Sequence, residues 1–152
     1  MDILMVGGLV PWHPQSGGGQ IIAYKTGEAL SKKGLSVDYV AFAPRGQRRE
    51  VGWGNLIYEL QEPGLLSSVS SALRSVRKRP LDQYDIVHVH AANETVGYCL
   101  AYALCRRGAS RPRFVMSIYS PRVHAFPRSP GEVITALSCR NADLVFSLSR
   151  FS

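Results

Sequence analysis

The residues best suited to chemistry lie where apolar runs of the chain end. His88 and His90 are two residues apart in the run 84–90, so strand alternation places both imidazoles on one face of a sheet. We expect His90 to face a ligand cleft at the strand end and His88 to pack below it. No third metal ligand has a recognisable spacing, so a metal site is disfavoured. Tyr119 follows the apolar run 113–118, and it is interpreted equally well as a cleft residue or as packing.

A glycine-rich segment, Pro14-Gln-Ser-Gly-Gly-Gly-Gln20, opens a predicted helix. Glycines let a ligand approach the backbone, and a helix N-terminus offers free N–H groups and positive potential to an anion. The segment matches neither the Walker A pattern nor the dinucleotide pattern GxGxxG. It therefore predicts either an anion site or a simple structural turn.

These residues need strands and helices to position them, and the hydrophobic pattern predicts both in alternation. An α/β fold follows: a Rossmann-like open parallel sheet with helices on both faces. Ligands of such sheets bind beyond the carboxyl ends of the strands, where the candidate residues lie. The predicted strands are 2–6, 37–43, 55–60, 84–90, 113–118 and 143–148, and the predicted helices are 20–33, 63–79, 94–107 and 132–141.

Length and composition bound the class of protein. The chain has 152 residues, 45% of them hydrophobic and 19% charged, which predicts one globular domain over 1–152. Three cysteines without a CxxC pair indicate buried thiols in a reducing cytosol. No signal peptide or run of about 20 apolar residues is present, so we expect a cytoplasmic location. The final predicted strand has no helix after it, so we expect the domain to be truncated at its C-terminal end.

The net charge of +7 arises entirely after Pro44, in clusters of arginine and lysine. Such clusters suit either an anionic partner or an ordinary solvated surface. No nucleic-acid motif accompanies them, so nucleic acid is not expected as a partner. In the second predicted helix, Leu66, Val69, Leu73 and Val76 should face the sheet. That leaves Arg74, Arg77, Lys78 and Arg79 exposed, and we expect a weak peripheral contact with an acidic membrane at the inner membrane face.

Seven short segments, spread over essentially the whole chain, form an ordered set. They are Ile3–Val6, Gly18-Gly19, Ala29–Gly34, Asp85–His90, Val115–Ile118, Ala142–Ser149 and Phe151-Ser152. Taken together and in this order, they resemble the N-terminal, acceptor-side domain of retaining glycosyltransferases of the GT-B fold, of the glycosyltransferase 4 type.

The resemblance implies transfer of a sugar from a nucleotide-sugar donor, the co-substrate, to a sugar or lipid-linked acceptor, with no further cofactor. It implies that Gly18 and Gly19 lie against the donor diphosphate and sugar. Tyr119 stands where the family commonly has a histidine that contacts the transferred sugar, and His90 is the other expected substrate contact. The family's donor-binding C-terminal domain is absent from these residues, so the chain alone should be inactive. The alternative is a non-catalytic half domain that binds an acceptor or partners a separate donor-binding chain.

Overall fold

The computed structural model describes residues 1–44, 46, 48–60, 65–105, 111–119 and 129–147. Within these residues the chain forms six strands and four α-helices, together with short 3₁₀ turns at Leu81–Gln83 and Asn93–Thr95. The elements are β1 (Asp2–Leu9), α1 (Gly18–Lys32), β2 (Ser36–Ala43), β3 (Asn55–Leu60), α2 (Leu65–Lys78), β4 (Ile86–His90), α3 (Val96–Cys105), β5 (Arg113–Ile118), α4 (Pro130–Asn141) and β6 (Leu144–Ser147).

The six strands form one sheet in the order β3-β2-β1-β4-β5-β6, and every neighbouring pair is parallel. This is the strand order of a Rossmann-like sheet, whose direction of winding reverses between β1 and β4. The predicted α/β class and parallel sheet are therefore confirmed. Within the described residues, β3 and β6 are the edge strands.

The core lies on both faces of the sheet. On one face, α2, α3 and α4 cover apolar residues of the central strands, with Tyr102 stacked on Phe114 at 4.0 Å between ring centroids. On the other face, Ala23 of α1 packs on residues such as Met5 and Tyr39. Alternate residues of each central strand face opposite helix layers, which explains why these strands are apolar on both faces.

The first strand is longer than the sequence predicts. We expected β1 to end before Gly7-Gly8, yet it continues to Leu9 with a register irregularity between Val6 and Leu9. Gly8 has a φ of +83°, a conformation that favours glycine. A Cβ on Gly7 would lie 1.7 Å from the hydroxyl oxygen of Tyr39, so this glycine makes room for a core side chain.

The predicted sheet-facing side of α2 is wrong at one position. Val76 is buried and Leu73 packs against the core, but Leu66 is 86% exposed. The buried side of α2 is formed by Ser68, Ser71, Ala72, Ser75 and Val76, so the helix turns Leu66 toward solvent, and apolar periodicity alone misplaces the buried face. No helix among the described residues is long and apolar enough to span a bilayer. Ser149 and the segment Phe151-Ser152, which belong to the family resemblance, lie outside the described residues, as do several of the arginines that contribute to the net charge, including Arg45, Arg106 and Arg107.

Candidate functional site

A cleft of about 410 Å³ opens where the central strands end. Leu9 of β1 and His90 of β4 contribute strand ends to it, and Tyr119 follows β5. Gly19 and Gly131 bring the first turns of α1 and α4 to its wall. The chain thus places the cleft at the carboxyl edge of the parallel sheet, the position at which such folds bind ligands.

His90 and Tyr119 form one hydrogen-bonded pair in this cleft. Nδ1 of His90 bonds to the Tyr119 hydroxyl, and the two rings are nearly parallel, with an interplanar angle of 15°. His90 is 2% exposed, and its Nε2 has no hydrogen-bond partner among the described residues. Tyr119, which the sequence leaves open between a cleft residue and packing, thus lies in the cleft beside His90, while the roles of both residues stay predictions.

His88 lies beneath His90 in the same stack of rings. The two imidazole centroids are 4.3 Å apart, and His88 Nε2 is hydrogen-bonded to the Ser117 hydroxyl at 2.8 Å. Strand pairing explains the contact, because His88 and Val115, and His90 and Ser117, are register partners of β4 and β5. His88 supports His90 from below and does not itself line the cleft.

Burial keeps both imidazoles neutral at physiological pH. It lowers the pKa of His88 to about 4, and burial together with the neighbouring His88 lowers the pKa of His90 to about 3. Burial also raises the pKa of the Tyr119 hydroxyl, opposed by a hydrogen bond with Ser117. The pair at the cleft is therefore an uncharged hydrogen-bonding unit near neutral pH, rather than a ready general base.

The two glycines that open α1 differ in their surroundings. A Cβ on Gly18 would meet no described atom within 4 Å, whereas a Cβ on Gly19 would collide with the Tyr119 ring. Gly19 lines the cleft, and Gly18 is not among the lining residues described. The Gln20 side chain accepts a hydrogen bond from the Gly17 N–H at 3.0 Å and so caps the helix. The N–H groups of Gly18 and Gly19 have no carbonyl one turn earlier in the helix to receive them.

Two carboxylates of the cleft are not predicted by any pattern in the sequence. Glu94 and Glu132 line it from the N-terminal ends of the α3 and α4 segments, where carboxylates stabilise helix dipoles. The Ser129 hydroxyl accepts a hydrogen bond from the Glu132 N–H and caps α4. The described residues that line the cleft include no lysine or arginine, so they bring no fixed positive charge to an anionic ligand.

The fold and cleft define a class: a Rossmann-like α/β protein with a cleft at the carboxyl edge of its parallel sheet. The family model described as "Glycosyl transferase 4-like domain" matches residues 17–152. The chain therefore belongs to the glycosyl transferase 4-like family, which confirms the resemblance carried by its sequence segments.

Among solved structures, the fold is similar to the crystal structure of MurG from Acinetobacter baumannii, with a TM-score of 0.58 at 14% sequence identity. The match covers 97% of this chain and 41% of the MurG chain, so the chain spans less than half the length of that protein. At this identity the likeness shows the fold alone. A search of curated proteins finds no match.

Proposed function

We propose that this chain is the N-terminal, acceptor-side domain of a glycosyltransferase that moves a sugar from a nucleotide-sugar donor to an acceptor. The observation that carries the proposal is the meeting of Gly19, His90 and Tyr119 in one cleft at the carboxyl edge of the sheet. The residues belong to three separate segments, and membership of the glycosyl transferase 4-like family supplies the reaction class.

Each cleft residue has a role that its chemistry suits. The free N–H groups of Gly18 and Gly19, at the positive end of α1, contact the donor diphosphate. The Tyr119 hydroxyl, held by His90, contacts the transferred sugar in the position where the family commonly has a histidine. Neutral His90 fixes the orientation of that hydroxyl, since its own Nδ1 is the hydroxyl's partner.

The domain 1–152 needs a second, donor-binding Rossmann-like domain to complete the site. The absence of lysine and arginine from the described cleft lining supports this, because a diphosphate requires compensating cations. The 41% coverage of the MurG chain also leaves room for such a domain. We propose a sugar or lipid-linked acceptor and a cytoplasmic reaction, the latter supported by the free thiols of Cys99 and Cys139.

A binding module without catalytic activity is the second candidate. One observation favours it: the described cleft lining offers no lysine or arginine to a donor diphosphate. The Tyr119 hydroxyl, held by His90, can still accept a hydrogen bond from an acceptor sugar, because its oxygen keeps a free lone pair.

The test is release of nucleoside diphosphate from UDP-, GDP- and dTDP-sugars. It compares residues 1–152 with the protein extended by the coding sequence that follows residue 152. We expect the extended protein to release nucleoside diphosphate from one of these sugar donors, and residues 1–152 alone to release none. Equal release by both proteins would overturn the need for a second domain, and no release by an extended protein with a second Rossmann-like domain would favour the binding module.

A further inference from the structure

A second concave surface lies far along the sheet from the cleft, at the free edge of β3. It has a volume of about 620 Å³ and is called the β3-edge groove below. Its lining comprises the β3 residues Asn55, Leu56, Ile57, Tyr58 and Glu59, the α2 residues Ser71, Arg74, Ser75 and Lys78, and also Arg48 and Arg79.

The groove runs along the edge of β3 rather than over one of its faces. Five consecutive β3 residues line it, although successive side chains of a strand point to opposite faces. Ile57 belongs to the core cluster beneath α2, whereas Leu56 and Tyr58 pack with the cluster on the α1 side. A single groove can touch residues of both kinds only if it follows the strand's outer edge.

The outer edge of β3 carries backbone N–H and C=O groups that are available for hydrogen bonding. Among the described residues, β3 pairs with β2 alone, through partners from Asp38–Asn55 to Ala43–Leu60. Alternate N–H and C=O groups on its other side therefore face away from the sheet. Such an edge is a template on which another extended segment can form a further strand.

Cations flank this edge from both faces of the sheet. The Arg48 guanidinium lies over the Tyr58 ring, 5.7 Å from its centroid, on the α1 side. Arg74, Lys78 and Arg79 approach from α2 and the turn after it. None of the four forms an ion pair with a described residue.

The groove's acidic side chain is already engaged. Glu59 accepts a hydrogen bond from the Ser71 hydroxyl at 3.0 Å, so it is held against α2. Its negative charge offsets one of the four cations, so the described lining keeps a net positive charge that an outside acidic ligand can meet.

We propose that the β3-edge groove binds an extended, acidic segment of a partner protein, which adds to the sheet beside β3. Backbone hydrogen bonds to the free edge would supply affinity, and acidic side chains directed to both faces would meet Arg48 on one side and the α2 cations on the other. An extended segment fits better than a small anion, because the cations lie on both faces of the strand edge, with Arg48 on the α1 side and the other three on the α2 side.

The experiment uses the 152-residue chain and a fluorescent, capped peptide, Thr-Glu-Val-Glu-Glu-Val-Glu-Thr, which presents glutamates to both faces of a strand. Binding is measured by anisotropy, and protection of the β3 amides 55–60 by hydrogen exchange. The proposal expects saturable binding and slowed exchange at alternate β3 amides. Absence of binding at millimolar peptide overturns it.

Charge-matched variants distinguish binding in the groove from a general electrostatic attraction between the basic chain and the acidic peptide. Arg74→Glu with Lys78→Glu should weaken binding about tenfold or more, because two groove cations are reversed. The control pair Arg77→Glu with Arg140→Glu carries the same net charge but lies outside the groove lining, and it should change binding by less than about twofold. Equal weakening by both pairs overturns the proposal.

Two further experiments use the unchanged protein and distinguish strand addition from the binding of other anionic ligands. A peptide N-methylated at alternate amides cannot complete the strand pairing, and it should bind at least about tenfold more weakly. If the methylated peptide binds equally well, strand addition is wrong. If the peptide binds saturably while the β3 amides of the complex exchange at their free rate, and acidic phospholipid vesicles or inorganic pyrophosphate compete with it, the groove is a membrane or phosphate surface, and the proposal is overturned.

Discussion

The ring of Tyr119 occupies the space that a Cβ atom on residue 19 would need. An ideal Cβ on Gly19 would lie 2.7 Å from Cδ2 and 3.1 Å from Cγ of Tyr119. Both atoms belong to the base of the side chain, so the clash cannot be relieved by moving only the far end of a flexible group. Gly19 therefore serves the packing of Tyr119 against α1, in addition to any contact with a ligand.

This relationship predicts that the two glycines respond differently to alanine. Gly19→Ala should lower the free energy of unfolding by about 1–3 kcal/mol, because the Tyr119 ring must move. Gly18→Ala meets no described atom, and it should leave stability unchanged or raise it by up to about 1 kcal/mol through helix propensity. Urea denaturation of both variants is the measurement. Equal losses of stability in the two variants would mean that the contact between Gly19 and Tyr119 does not constrain the start of α1.

The buried histidines predict a loss of stability in acid. The unfolded chain protonates its histidines below about pH 6.5, whereas the folded pKa values of His88 and His90 are lowered to about 4 and about 3. Between these limits the unfolded state binds more protons. The free energy of unfolding should therefore fall with falling pH, by up to about 1.4 kcal/mol per pH unit for each histidine.

The measurement is urea denaturation of the native chain and of a His88→Asn variant at pH 8, 6 and 5. Above pH 7 neither state protonates these residues, so the pH 8 data give the cost of the substitution alone. Between pH 6 and pH 5 the variant should lose less stability than the native chain. Parallel pH curves would show that His88 is not held neutral by the fold.

The edge strand β6 predicts self-association of the isolated chain. Leu144 and Phe146 are 50% and 52% exposed, and β6 pairs only with β5 among the described residues. An apolar edge strand is a template for pairing between chains, and a lysine placed on it blocks such pairing. Leu144→Lys should lower the apparent mass seen by light scattering at high concentration. Val133→Lys, an exposed position on α4, is the control and should not lower it.

The sequence predicts the sheet well because apolar runs of this length admit few alternatives. The predicted strand 55–60 and the predicted strand 113–118 agree with the structure residue for residue. The carboxyl-edge location of His90 and Tyr119 follows from the same pattern, since strand ends in a parallel sheet share an edge.

Other features depend on contacts between distant residues and leave no local signal. Gly18 and Gly19 look equivalent in sequence, and only the position of the Tyr119 ring separates them. The β3-edge groove likewise combines Arg48 with α2 cations about 30 residues further along the chain. The exposure of Leu66 escapes a helical periodicity argument, because the buried side of α2 consists largely of serine and alanine, which an apolar pattern does not single out.

In the proposed function, the cleft at Gly19, His90 and Tyr119 receives the diphosphate and sugar of a donor, and these residues provide only one side of the donor site. An amide NMR titration of residues 1–152 with UDP-, GDP- and dTDP-sugars tests this. We expect shift changes centred on Gly18, Gly19 and Tyr119 for one of these donors, with a Kd of about 1 mM or weaker, because one side of a cleft leaves most of the ligand solvated. Sub-micromolar binding, or shift changes confined to the β3-edge groove, would contradict it.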